Sequence, residues 1–132
     1  EGYMDVISLN QNGLASVVAP LGTSLTEDQL MLAWKYSSKP TLMFDGDTAG
    51  IRASYKSAIM ALPLISNKKF LQFISLPKEY DPDTYINEVS LSAFIEKLKN
   101  PESLTNFIFD QSSKSISLNL VDCCDSSSNI EI

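Results

Sequence analysis

A chain of 132 residues with 44% hydrophobic residues fits one domain of ordinary size and supplies enough apolar surface for a core, which excludes wholesale disorder. It has no histidine and only two cysteines, adjacent at Cys123 and Cys124. That excludes zinc fingers, Cys/His zinc clusters, a disulfide framework, histidine acid–base catalysis and Ser-His-Asp triads. Net charge is −6, from sixteen acids against ten bases, which excludes a strong overall attraction for nucleic acid.

The acids are unevenly spread. Six stand in pairs, Glu1/Asp5, Asp45/Asp47 and Asp81/Asp83, and setting these aside leaves ten acids against ten bases. The excess charge belongs to the pairs. No apolar run approaches the roughly 18 residues of a membrane span, and no charged-then-apolar leader opens the chain. The expected compartment is therefore the cytoplasm, with no membrane partner, and the cysteine usage suits a reducing interior. The chain opens on glutamate with no strand before it, and the expectation is a piece of a larger reading frame.

In chain order, Tyr3 to about Gln11 predicts a helix stopped at Asn12-Gly13. Ala15 to Ala19 predicts a short β-branched strand running into Pro20. Thr26 is the expected N-cap of a helix reaching about Ser37, with Gln29 closing a capping box and Leu25 and Leu30 forming a hydrophobic staple. Thr41 to Phe44 reads as a buried strand ending at Asp45. Thr48 to Leu62 carries Ile51, Tyr55, Ala58, Ile59 and Leu62 at helical spacing, which predicts a helix buried along that stripe and closed by Pro63.

Lys69 to Leu76 predicts a further strand, stopped by Pro77, and Asp81-Pro82-Asp83 opens a helix near Asp83 to Val89 with proline in its first turn. Leu91 to Lys99 and Pro101 to about Gln111 predict a helical end, with Leu104, Phe107 and Ile108 on one face. From Ser112 to Ile132 there are seven serines, no aromatic and no sustained period, which reads as a loose tail. Helices alternating with strands predict an α/β layer fold with a mostly parallel sheet flanked by helices. Such sheets hold ligands at the carboxyl ends of their strands, where the three acidic pairs are expected to converge.

Asp45-Gly46-Asp47 places two carboxylates two residues apart at a strand end, and Asp81-Pro82-Asp83 repeats the spacing. Clustered carboxylates repel unless a cation neutralises them, and oxygen ligands without His or Cys select magnesium or manganese. Each pair also has a plain reading, because Asp before Gly is often a turn and Asp before a helix often only a cap. Three pairs expected at one edge favour the metal. Trp34 reads as core, Lys68-Lys69 as a solvated turn with a possible phosphate contact, and Cys123-Cys124 as idle thiols.

The strings Glu1-Gly2-Tyr3-Met4-Asp5, Leu21-Gly22-Thr23-Ser24-Leu25-Thr26, Asp45-Gly46-Asp47-Thr48-Ala49-Gly50 and Asp81-Pro82-Asp83-Thr84-Tyr85-Ile86 together closely resemble the Toprim catalytic core of bacterial DnaG-type DNA primases. The resemblance runs from residue 1 to about residue 111. It implies a Toprim-like core over 1–89 lacking its first strand, a helical extension over 90–112 and the Ser-rich tail over 113–132. It also implies that Glu1 is a catalytic acid or base, and that Glu1, Asp45, Asp47, Asp5, Asp81 and Asp83 bind Mg2+ or Mn2+. The family joins ribonucleoside triphosphates into short RNA primers on single-stranded DNA for replication. Its basic template-gripping lobe, its zinc-binding module and its helicase-binding end are absent from these 132 residues, so this chain alone is expected to be inactive.

Two rival readings stand beside the resemblance. Leu42 to Thr48 also satisfies the strand-then-Asp-x-Asp-x-Thr pattern of haloacid-dehalogenase-type phosphatases, with Asp45 as nucleophile and Asp47 as acid/base. That reading leaves the EGYMD and LGTSLT strings unexplained. The second rival is a non-catalytic remnant that binds metal or a partner.

Overall fold

The computed structural model describes residues 2–20 and 24–125, with side chains as far as residue 114. Among the described residues the chain forms six α-helices, a short 3-10 turn and a three-stranded sheet. The first helix, α1 (Tyr3–Gln11), ends where Gly13 takes φ +87°, the left-handed conformation expected after a helix C-terminus. Residues 15–19 form no strand, in contrast to the sequence expectation, and Val18 is 87% exposed. β-propensity reflects packing on a sheet, and among the described residues no strand pairs with this segment; Leu14 and Val17 pack against a core.

The next helix, α2 (Glu27–Tyr36), starts as its sequence predicts. The Thr26 hydroxyl accepts from the Gln29 N–H at 3.3 Å, and the Gln29 side chain accepts from the Thr26 N–H at 2.9 Å. Strand β1 (Thr41–Phe44) runs parallel to β2 (Gln72–Ser75), in the register Leu42 to Phe73 and Met43 to Ile74. A two-residue strand, β3 (Glu102–Ser103), then adds to β2 antiparallel, giving the order β1-β2-β3. Its polar residues after Pro101 carry no alternating pattern, so sequence gave no sign of it. Strand β1 is less buried than expected: Thr41 is exposed and the other three residues are half-buried.

Both faces of the sheet are covered, and the strand period divides the core in two. Leu42 and Phe44 pack on one side with Phe73, Leu30, Trp34 and Phe107, while Met43 packs on the other with Leu9, Leu76, Ile86 and Phe94. Helices α2, α3 (Thr48–Ala61) and α6 (Leu104–Asp125) cover the first face, and α1, α4 (Pro82–Glu88) and α5 (Leu91–Lys99) the second. The Phe73 and Phe107 rings stack with centroids 4.3 Å apart, fixing α6 to the central strand.

Helix α3 is found where expected but rotated. Its buried residues are Gly50, Ser54, Ser57, Ala58 and Ala61, while Ile51, Tyr55, Ile59 and Leu62 are 38–46% exposed. The small residues share the spacing of the apolar stripe, and they let the helix axis lie close to β1. Close approach decides the orientation, and the Ser54 hydroxyl is satisfied within the helix by donating to the Ile51 carbonyl at 2.8 Å. Pro63 falls within the 3-10 turn Leu62–Leu64.

Helix α6 bears Leu104 and Phe107 in the core with Ile108 packed against it, the face its sequence predicts. It also continues to Asp125, through the first part of the stretch read as loose. The rest of that stretch, 126–132, lies outside the described residues, as do Glu1 and the Leu21-Gly22-Thr23 part of the LGTSLT string. Among the described residues no helix is long and apolar enough to cross a membrane.

Candidate functional site

Strands β1 and β2 point the same way, so the residues after them emerge on one edge. Asp45 directly follows β1 and is half-buried, one of its carboxylate oxygens fully removed from solvent. Asp47 is the N-cap of α3, its Oδ1 accepting from the Gly50 N–H at 2.6 Å. Beyond β2 the chain turns at Pro77–Tyr80, and Asp81 caps α4 by accepting from the Thr84 N–H and hydroxyl, each at 2.7 Å. Pro82 then occupies the first helical position, where a missing N–H costs nothing.

The two acidic loops are locked together through backbone. The Gly46 N–H donates to the Tyr80 carbonyl at 2.8 Å. A Cβ on Gly46 would lie 1.8 Å from the Pro77 carbonyl oxygen, and one on Gly50 would lie 2.2 Å from that of Asp45. Only glycine allows either approach. The Asp-Gly-Asp-x-x-Gly string is thus a packing solution that brings Asp45 and Asp47 against the turn leading to Asp81. Glu79, in that turn, holds φ +69°, the one non-glycine residue in the left-handed region among those described.

Asp83 faces the first helix. Its Oδ1 accepts from the Ser8 hydroxyl of α1 and, at 3.0 Å, from the Asn87 amide. Asp5 lies one turn before Ser8 on the same side of α1, and its carboxylate accepts from the Gly2 N–H at 3.1 Å. The structure therefore links Asp45, Asp47, Asp81 and Asp83 at one edge and brings the helix carrying Asp5 onto α4. Glu1 lies outside the described residues. Sequence reading missed Ser8, Thr84 and the carbonyl of Tyr80, because a lone hydroxyl or a main-chain oxygen leaves no pattern.

Among the described residues no group of three or more acidic or cysteine side chains stands close enough to hold one ion. The aspartates supply hard oxygen donors but, among the described residues, no closed cage. That suits a cation such as magnesium, which keeps several waters and takes one or two carboxylates together with substrate phosphates. The caps on Asp47 and Asp81 use Oδ1 in each case, and a carboxylate has further acceptor capacity. Capping and metal binding are therefore compatible at the same side chain.

A parallel β1–β2 pair covered on both faces, with aspartates at its carboxyl edge, defines an acid-edged α/β module. The particular family is a narrower matter. The sequence profile described as Toprim-like matches residues 1–86, and the chain belongs to that family. It is 44% identical over 109 residues to the DNA primase of Rickettsia bellii, a match covering 83% of this chain. The chain spans 18% of that relative's length. The E. coli primase catalytic core is similar at 36% identity and a TM-score of 0.77, over 84% of this chain and 36% of that one. A structure of the DnaG primase catalytic domain bound to ssDNA is similar to the same extent, with a TM-score of 0.77 at 36% identity over 84% of this chain and 36% of that one. These likenesses do not favour the phosphatase reading.

Proposed function

We propose that this chain is the Toprim part of a DNA primase, acting in the cytoplasm in a metal-dependent nucleotidyl transfer that makes short RNA primers on single-stranded DNA. The observation that carries the reading is the backbone lock between the Asp45-Gly46-Asp47 loop and the turn before Asp81-Pro82-Asp83. It unites, at one strand edge, two strings that mark the family. The likeness to a DnaG catalytic domain whose structure holds single-stranded DNA supports the template as partner. Ribonucleoside triphosphates are the second substrate, and the replicative helicase would be met through parts of the relatives outside the matched 18%.

In this reading Asp45, Asp47, Asp81, Asp83 and Asp5 take part in binding Mg2+ or Mn2+, no more than two of these carboxylates on any one ion, and Glu1 acts as general acid or base. The bound ion would supply Lewis-acid stabilisation of charge on the triphosphate oxygens. The chain's own part is to hold its carboxylates in place: Gly50 and Thr84 donate to Asp47 and Asp81, and Ser8 and Asn87 orient Asp83. The functional units are residues 1–89 as the core and 90–112 as a helical extension. The 132 residues alone do not make primers, since their net charge of −6 disfavours template grip and they span 18% of that relative's length.

Two measurements test this reading. Millimolar Mg2+ or Mn2+ should raise the melting temperature, since a ligand at about 100 times its Kd adds about 2.7 kcal/mol to the native state. Asp45→Asn should abolish the rise. Separately, the matched segment of this chain exchanged into the full-length R. bellii primase should retain metal-dependent ribonucleotide incorporation on single-stranded template, lost on Asp45→Ala or Asp47→Ala. An unchanged melting midpoint with either metal, together with unaffected incorporation in both variants, would overturn the assignment.

A further inference from the structure

The strands that end at the acidic rim begin at a pole of opposite charge. The stretches 29–44 and 48–78 contain no acidic residue, and five lysines fall within 35–69 outside the rim: Lys35, Lys39, Lys56, Lys68 and Lys69. Four of these, all but Lys56, lie on two segments that the fold ties together. The Trp34 indole N–H donates to the Phe70 carbonyl at 2.7 Å, and the Phe70 N–H donates to the Ser38 carbonyl at 2.9 Å. Ser66 and Lys69 exchange backbone hydrogen bonds, each 3.2 Å, closing a tight turn with Lys68 inside it.

Side chains reinforce the join. The Lys69 ammonium lies 5.4 Å from the centre of the Trp34 ring and 3.4 Å from the Met31 sulfur, and the Lys39 ammonium lies 5.3 Å from the centre of the Phe70 ring. Tyr36 is 86% exposed and Phe70 42% exposed at the same pole. From Pro40 to Asp45 the chain runs along β1, so this pole stands about 15 Å from the rim at about 3.3 Å per residue. It is a separate surface.

We propose that this pole is a second contact for single-stranded DNA, with Lys35, Lys39, Lys68 and Lys69 meeting phosphates and Tyr36 providing a stacking platform. The inference rests on the primase reading for its partner and deepens it by giving the strand a contact away from the metal. Charge complementarity supports it, since phosphates are repelled by the rim and attracted by four lysines on two segments, 34–39 and 66–70, that themselves carry no acidic residue. The exposed aromatics choose among anionic partners: a π-face next to cations matches unpaired bases on a phosphate chain, because every base can stack.

The test is binding of a fluorescent oligothymidylate to the 132-residue chain without metal, combined with amide chemical-shift mapping. Binding should be weak and steeply salt-dependent, with log K falling against log [salt] by about 0.7 per phosphate contacted, or a slope of about −3 for four lysines. Shifts should gather at residues 34–39 and 66–70. The pair Lys39→Glu and Lys68→Glu, both on side chains outside the core, should at least halve that slope. Tyr36→Ala should weaken binding about tenfold, the order expected for loss of one stacked base. Unchanged binding by the lysine variant overturns the proposal, as do shifts confined to the rim. So does tighter binding of dextran sulfate or polyglutamate than of oligothymidylate. Because the readout is binding without metal, its failure leaves the metal test of the rim standing, and the reverse holds too.

Discussion

Substituting alanine at Gly46 tests whether the two acidic loops are locked by backbone contact. The new Cβ would start 1.8 Å from the Pro77 carbonyl oxygen and 3.0 Å from that of Leu76, and neither atom is the end of a flexible side chain. Reaching an ordinary contact of about 3.4 Å requires the loops to part by about 1.6 Å. The 2.8 Å bond from the Gly46 N–H to the Tyr80 carbonyl cannot survive that movement. Overpacking costs about 1–3 kcal/mol and the lost bond about 0.5–1.5 kcal/mol, so a loss of about 3 kcal/mol is expected. For a domain of this length that is a fall of about 10 °C in Tm. Gly13→Ala is the control: it also strains the backbone, at φ +87°, but its Cβ meets nothing within 4 Å, and about 1 kcal/mol is expected. Thermal and urea unfolding of both variants, with and without Mn2+, measure the difference. A Gly46→Ala chain within 1 kcal/mol of the parent, with its metal response intact, would refute the lock.

Three further outcomes are expected. Asp81→Asn should keep the α4 cap and stay within about 0.5 kcal/mol of the parent while losing metal response; Asp81→Ala should lose both, at a stability cost of about 1 kcal/mol. Ser8→Ala removes the hydroxyl that joins α1 to Asp83, and urea unfolding should show a loss of about 1 kcal/mol, moderated by the Asn87 donor that remains. Glu79→Gly relieves a left-handed residue and should raise stability by about 0.5–1 kcal/mol; a loss in thermal melting would show that the strain is not there to relieve.

What the sequence made legible follows from how local each signal is. The α2 start was readable because Thr26 and Gln29 satisfy each other within four residues, and the Leu91–Lys99 helix because its ends and its apolar period coincide. Signals that depend on a distant partner were not readable. The stripe of Ile51, Tyr55, Ile59 and Leu62 implied a buried face, yet the distance to β1 selects the small residues on another side of the same helix. The segment 15–19 has strand composition without a neighbouring strand, whereas Glu102–Ser103 lacks strand composition but lies beside β2.

The same division runs through the acidic rim, and there it has a chemical consequence. The Asp-x-Asp spacings were plain in the sequence, but whether they meant turn, cap or metal ligand was not, because those readings share the same residues. The structure makes Asp47 and Asp81 caps, each at the N-terminus of the helix that follows a parallel strand, shortly after β1 for Asp47 and beyond the Pro77–Tyr80 turn for Asp81. Those N-termini carry partial positive charge, which lowers the cost of gathering carboxylates before any cation arrives. A rim built this way leaves its carboxylates with acceptor capacity beyond what the caps use. The cap is therefore the means by which the fold places its acids, and the glycines at 46 and 50 are what allow the two capped loops to meet.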